Sequence, residues 1–289
     1  MRIATCSTKS TANKIKLIAS IPLPPWQKAY HKMRLHTSCR PFFGTCTPCG
    51  SCAILEPKEL AMITTIFLDL DDTLFSFQQA EQVALEETMR HYALPYSDEI
   101  LALYSAGNDA QWKLLEQDKI QRSEIGYRRF DLLLTHLGSD LDREEVNHYY
   151  MERLSSRHFF LPGAEELLSA LHGRYTLCLA SNGTGWVQEG RLKNSGILPL
   201  LDQVFISEYL GANKPQLGFF DACFASLPGV KRSESLMLGD SLTSDMLGGK
   251  IAGMHTCWYN PNRLPLPTDG TVEYQIHRLP DLLPLLEKL

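Results

Sequence analysis

"IFLDLDDTLF", residues Ile66–Phe75, begins with three apolar side chains and then crowds Asp69, Asp71 and Asp72 together. Like charges this close repel and raise one another's pKa unless a cation or a partner offsets them. An acidic turn or helix cap would explain such a cluster, and so would a metal-dependent nucleophile site. The residues upstream add a constraint. "MITTIFLDL" (Met62–Leu70) is short, apolar and rich in β-branched residues, the pattern of a strand buried on both faces. In extended backbone, residues two apart share a face, so Asp69 and Asp71 can address one point.

Working outward, the chain changes period twice. Phe77–His91, Ser97–Gln117, Ser123–Leu137 and Asp142–Arg157 carry apolar residues at helical spacing, with no credible strand between them. From "LPGAEELLSAL" (Leu161–Leu171) onward, helices alternate with strands expected at Tyr175–Ser181, Gln203–Ser207, Ser235–Asp240 and His255–Tyr259. The intervening helices fall at about Trp186–Asn194, Leu217–Ser226 and Asp245–Ala252. Alternation of this kind means an α/β fold with a doubly wound parallel sheet, whose ligand site lies outside the carboxyl ends of the strands. The four-helix block is too long for a loop and reads as an inserted lid. The expected organisation is a core of residues 62–76 and 159–289, a helical cap at 77–158, and residues 1–61 outside the fold.

Each strand ends in a polar group that can face one crevice. The first ends in the aspartates. The second ends in Ser181-Asn182-Gly183, a hydroxyl and a turn with free N–H groups. The third leads to "GANKP" with Lys214, and the fourth to "GDSLTSD" with Asp240 and Asp245. Together they suit phosphoryl chemistry. A phosphate monoester is a dianion that repels a carboxylate nucleophile, and a magnesium ion held by hard oxygens such as those of Asp69 and Asp240 offsets that repulsion. Lys214 and Ser181 suit the equatorial oxygens. Asp69 would attack phosphorus to give an aspartyl-phosphate, while Asp71 protonates the leaving alkoxide and later deprotonates water.

The four motifs "DLDDT", "SNG", "NKP" and "GDSLTSD", in this order at strand ends, resemble those of the haloacid dehalogenase superfamily of phosphohydrolases, and the likeness extends from Ile63 to the C-terminus. The resemblance implies Asp69 as nucleophile and metal ligand, and Asp71 as acid/base and as a ligand through its backbone carbonyl. It further implies Ser181, Asn182 and Lys214 as phosphate-binding residues and Asp240 as a metal ligand. Asp245 matches a further acidic position, either a ligand or an outer partner. Dehalogenases of the superfamily carry a non-acidic residue where this chain has Asp71, so phosphate esters are the expected substrates. Asp72 reads as a turn or cap residue, and Thr73 as a brace of the loop.

Within the capped branch, "VFISEYLGANKPQLGFFD" and "AGMHTCWYNP" look most like bacterial pyrimidine 5′-nucleotidases, which implies a nucleoside monophosphate. Phosphoglycolate- or sugar-phosphate phosphatases are the alternative, and a catalytically silent binding module is the remote one. Substrate choice is expected from the cap. Phe75, Phe77, Trp112, Tyr127 and Arg128 are candidates for stacking on a base or ribose, with Trp112 and Tyr127 preferred. Any one of them at helical spacing is more often core.

Composition bounds the rest. No apolar run approaches the ~20 residues that span a bilayer. The net charge of −5 gives no reason to expect a nucleic-acid partner. Residues 1–55 hold eight Lys or Arg and no Asp or Glu, which leaves 20 basic against 33 acidic residues in the remainder, a net −13. That leader resembles a transit peptide. It also carries "CTPCGSC", where Cys46, Cys49 and Cys52 sit at C-x-x-C-x-x-C spacing without a fourth ligand in register. The favoured reading is that Met62 is the true start, because the buried strand follows it at once. Three scattered cysteines after it suit a reducing cytoplasm. The oligomeric state is not legible.

Overall fold

β1 (Thr65–Leu68) is wholly buried, so it must be covered by elements on both faces and flanked by strands on both edges. The computed structural model describes residues 62–289; the expectations for residues 1–61, the cysteine run included, lie outside the described residues. Flanking β1 are β2 (Thr176–Ser181) and β4 (Ser235–Gly239), then β3 (Gln203–Ile206) beyond β2 and β5 (His255–Tyr259) and β6 (Tyr274–Ile276) beyond β4. All six strands run parallel in the order β3-β2-β1-β4-β5-β6. The chain winds from β1 to β2 and β3, then returns to the other side of β1 at β4. The topological switch therefore lies at the carboxyl ends of β1, β2 and β4, where an open α/β sheet binds its ligand.

Between β1 and β2 the chain makes an inserted four-helix unit: α1 (Phe77–His91), α2 (Asp98–Glu116), α3 (Arg122–His136) and α4 (Arg143–Ser155). Their starts are written locally. The hydroxyl of Ser76 accepts from Gln79 N, Ser97 caps α2 ahead of Asp98 and Glu99, and Asp142 accepts from Glu145 N. Ala84, Leu85, Tyr104, Phe130, Leu134 and Tyr150 close a core of their own, into which Val187 reaches from the sheet side. After α5 (Ala164–Leu171) and β2, the remaining helices are α6 (Gly185–Ser195), α7 (Ser207–Leu210), α8 (Leu217–Ala225), α9 (Leu247–Ile251) and α10 (Leu282–Leu286). Phe67, Cys178, Phe205, Phe219, Phe220, Met237 and Trp258 form the core beneath one face of the sheet.

Two departures from the sequence reading bear on the site. The first strand stops at Leu68 rather than Leu70, because Leu74 N and Phe75 N both turn back to Leu70 O while Asp72 adopts φ 55°. The helix expected from Asp245 is preceded by a π-turn, Leu242–Met246, that carries Asp245 inward. Among the described residues no helix is long and apolar enough to cross a membrane.

Candidate active site

Carboxylates from two strand ends meet first. Asp69 follows β1 with its N–H on Leu238 O, and Asp240 follows β4, so adjacent parallel strands deliver them side by side. Asp245 comes back from the π-turn, and one oxygen from each of the three lies within 4.8 Å of the others. Gly239 makes that return possible: a Cβ there would sit 2.2 Å from Asp245 Oδ2. Thr73 and Trp258 hold Asp240 in place. Asp240 N donates to Thr73 Oγ1 (3.1 Å), and Trp258 Nε1 donates to Asp240 O (2.7 Å).

Opposite them is Lys214, 1% exposed, whose Nζ donates to Asp69 Oδ1 (2.6 Å), Asp245 Oδ1 (2.7 Å) and Ala180 O (2.6 Å). An ammonium has three hydrogens, so all are in use. Burial opposes the charge on Lys214, yet Asp245 and Asp69 outweigh it and hold the ammonium above the usual lysine range. One positive charge is too little for three carboxylates. Burial pushes the Asp69 carboxyl up to about 7, with Asp245 and Asp71 adding to the effect and Lys214 opposing it. Asp240 is driven well above the carboxylate range by burial first, and then by Asp69 and Asp245.

This donor set fits a small hard cation. All the available side-chain atoms are carboxylate oxygens, and the group is short of positive charge. The three members are not equivalent. Asp245 gives Oδ1 to Lys214 and Oδ2 to Ser241 N (3.1 Å), whereas Asp69 and Asp240 each retain an oxygen without a donor among the described residues. Asp245 is thus placed to orient Lys214 and the loop.

Asp71 lies beside this group, its carboxylate held by Gln188 Nε2 (2.7 Å) and by Arg191 Nη1. Ser181 Oγ accepts from Gly183 N (3.1 Å) and Gln188 Nε2 (2.8 Å), which leaves its own hydrogen for an acceptor in the cavity. Asn182 is bonded both ways to the Lys214 backbone, Nδ2 to Lys214 O (2.9 Å) and Oδ1 from Lys214 N (2.8 Å), so the loops after β2 and β3 are stapled together. Asp72 accepts from Phe77 N (2.9 Å) and caps α1.

Asp69, Asp71, Ser181, Asn182, Lys214, Asp240 and Asp245 all line one cavity of about 360 Å³, whose far wall is the helical insertion. Phe77, Asn108, Trp112, Arg129, Met151 and Leu154 supply that wall. Trp112 is therefore within the cavity. Tyr127 is not: it lies on the outer face of α3 at 49% exposure, and its neighbour Arg128 pairs with Glu124 on the surface. Phe75 is buried against Phe160 and Arg191, and does not line the cavity either. Arg122, at the start of α3, reaches across to Asn182 O (2.9 Å), Gly183 O (3.3 Å), Ser207 Oγ (2.6 Å) and Asn213 Oδ1, with Trp112 5.4 Å from its guanidinium.

Gln188, Arg191 and Arg122 were not singled out by sequence reasoning. Gln188 and Arg191 stand three apart on one helix, directly after the Ser-Asn-Gly turn. That spacing puts them on one face, and this is the only local signal they carry.

A model of haloacid dehalogenase-like hydrolases matches residues 63–253. The chain is 38% identical to the pyrimidine 5′-nucleotidase PynA of Streptococcus pneumoniae over 224 residues, covering 77% of this chain and 94% of that protein. It is 30% identical to the pyrimidine 5′-nucleotidase YjjG of Escherichia coli over 223 residues, 77% of this chain and 97% of the other. Among solved structures, the putative HAD-hydrolase YfnB of Bacillus subtilis bound to magnesium superposes with a TM-score of 0.74 at 33% identity, covering 78% of this chain and 98% of that one.

Proposed function

The chain belongs to the haloacid dehalogenase-like hydrolases, and on that footing we propose that it is a magnesium-dependent phosphomonoesterase acting on pyrimidine nucleoside monophosphates. The observation that carries the reading is the convergence of Asp69, Asp240 and Asp245 with, among the described residues, only Lys214 paired against them. A buried carboxylate cluster short of one or two positive charges favours a divalent cation over a proton at neutral pH. Asp69 and Asp240, joined by the Asp71 carbonyl, would hold magnesium, which would offset the repulsion between the phosphate dianion and the nucleophile. Asp245 orients Lys214 and is an outer partner of that site.

The chain's own residues then divide the work. Asp69 Oδ attacks phosphorus, and the bond to the leaving oxygen breaks as Asp71 gives that oxygen a proton. The Ser181 hydroxyl donates to an equatorial oxygen, and Lys214, braced by Asn182, supplies positive charge beside it. Asp71 then takes a proton from the water that hydrolyses the aspartyl-phosphate. The acid at position 71 favours phosphate esters over organic halides, and the names of the two nucleotidase relatives favour a pyrimidine base. The division into a core of 62–76 and 159–289 and a cap at 77–158 assigns the leaving-group pocket to the cap, where Phe77 and Trp112 offer apolar surface. Free, buried Cys178, Cys223 and Cys257 fit a reducing compartment such as the cytoplasm.

The test is phosphate release from uridine 5′-monophosphate and p-nitrophenyl phosphate, with magnesium and with EDTA. Turnover of both, lost in EDTA, is expected. Cleavage of the aryl ester alone would remove the nucleotide reading, and cleavage of neither would remove the phosphatase reading.

A further inference from the structure

Two side chains outside the motifs hold Asp71 as a clamp. Arg191 Nη1 donates to Asp71 Oδ1, and Gln188 Nε2 donates to Oδ2 at 2.7 Å. The clamp is cross-linked, because Arg191 Nη1 also donates to Gln188 Oε1 (2.9 Å) and Gln188 Nε2 to Ser181 Oγ (2.8 Å). Arg191 is itself fixed by a bond from Nε to Arg157 O (3.0 Å) and by the Phe75 ring, 5.5 Å from its guanidinium. Gly183 leaves the space that Gln188 needs, since a Cβ there would fall 2.2 Å from Gln188 Nε2.

This arrangement is a poor way to gain stability. Arg191 is 1% exposed, and taking a guanidinium out of water carries a desolvation cost that pairing can fail to offset. Its Nη2 has no partner among the described residues, an added penalty for a buried donor. Meanwhile the Asp71 side chain stays 29% exposed, at the cavity. Each carboxylate oxygen has two acceptor positions, so one bond to each leaves the others open to a ligand.

We propose that Gln188 and Arg191 are positioning residues for Asp71, fixing the plane of its carboxyl group against the leaving oxygen. The inference rests on the acid/base reading of Asp71 given above. In the first step the phosphorus–oxygen bond breaks and its electron pair stays on the leaving oxygen. The Asp71 O–H bond breaks too, its proton passes to that oxygen, and Asp71 is left a carboxylate. In the second step the same carboxylate takes a proton from the attacking water, and Asp69 departs from phosphorus as a carboxylate. Gln188 adds a link that Arg191 alone would lack: through Ser181 it ties the proton-transfer group to the group placed to hold the phosphate.

A leaving-group comparison tests this. p-Nitrophenolate departs without needing a proton, and an alkoxide does not. The quantity to measure is the ratio of kcat/KM for the best alkyl ester in a substrate screen, uridine 5′-monophosphate to begin with, to kcat/KM for p-nitrophenyl phosphate. This ratio does not depend on how much of a preparation is folded. Asp71→Asn should lower it by about 10²–10⁴-fold, the usual worth of acid/base help. Gln188→Leu and Arg191→Met should each lower it in the same sense by on the order of 10-fold, a fraction of that worth. Gln188→Leu breaks no buried ion pair and carries the test if Arg191→Met does not fold. A wild-type ratio in Gln188→Leu and in any folded Arg191→Met, beside a lowered one in Asp71→Asn, overturns the positioning role alone. A wild-type ratio in Asp71→Asn overturns the acid/base reading and the inference with it.

Discussion

Two buried polar clusters face the same cavity, and they are built to opposite rules. At the carboxyl ends of the strands, Asp69, Asp240 and Asp245 share the single ammonium of Lys214. In the helical insertion, Glu81 and Arg129 are matched one to one through Asn108, which donates to Glu81 Oε1 (3.1 Å) and accepts from Arg129 Nη1 (3.0 Å). Asn147 takes two more bonds from that guanidinium, and Ser105 donates to Glu81. The second cluster sets one guanidinium against one carboxylate. The first is unfinished, and its deficit has the sign and size that a divalent cation supplies. A buried group that the fold leaves unbalanced therefore points to chemistry more strongly than one that is merely buried and charged.

That contrast can be broken in order of effect. Asp69→Asn removes the proposed nucleophile and should abolish both turnover and covalent labelling by phosphate; retained labelling would mean that another residue attacks. Lys214→Met strips the sheet-end cluster of its counter-charge and should cost about 3–5 kcal/mol in urea unfolding without metal, as for other broken buried pairs. A loss below about 1 kcal/mol would show that water or protons already neutralise those carboxylates.

Magnesium sharpens the comparison. At about 100 times its Kd it should stabilise the protein by about 2.7 kcal/mol, read as a rise in Tm. The rise should shrink in Asp240→Asn and persist in Glu81→Gln, and equal rises in both would place the ion elsewhere. On the insertion side, Trp112→Ala should cost about 1–3 kcal/mol in kcat/KM for uridine 5′-monophosphate relative to p-nitrophenyl phosphate, the worth of a stacking contact. An unchanged ratio would take Trp112 out of the leaving-group pocket.

The remaining test concerns Glu81. Burial raises its carboxyl to about 7 against an ordinary 4.5, with Asp109 adding to the shift and Ser105 and Arg129 opposing it. A carboxyl raised on folding binds its proton more tightly in the native state, so its contribution falls as pH climbs from the unfolded value to the folded one. Glu81→Gln has no proton to lose there. Its Tm relative to wild type should therefore climb between about pH 4.5 and pH 7 and level off above. A flat difference across that range would mean that Glu81 is ionised throughout.

Asp69 and Asp240 are legible in the sequence because each follows a strand with a strong apolar pattern, while Asp245 and Lys214 are carried in by the segments beyond β4 and β3. Parallel pairing then brings ends together whatever their separation along the chain. Asp72 is legible as a cap because it acts within its own loop, whereas Thr73 bonds Asp240 at the neighbouring strand end, a partner that no local pattern shows. The clamp on Asp71 was not legible: Gln188 and Arg191 come from 117 and 120 residues away, and only the packing of α6 shows what they face. Helical spacing does not separate Trp112, which lines the cavity, from Tyr127, which does not. It tells which residues share a side of a helix, but not which side meets the cavity. β6 escaped notice because it has three residues, one of them an exposed Gln275, and too little alternation to register.

The bonds of Arg122 to the loops after β2 and β3, with Gln216 Nε2 on Asp118 Oδ1 (2.8 Å) and Thr243 Oγ1 on Glu116 Oε2 (3.2 Å), make a seam of hydrogen bonds where the corner between α2 and α3 meets the sheet. Water can take over every one of these partners, so parting the seam trades bonds nearly one for one and costs only about 0.5–1.5 kcal/mol for each. An oily seam of the same extent would cling, exposing apolar surface each time it opened. The junction is thus suited to repeated use, as a hook-and-loop fastener is and glue is not.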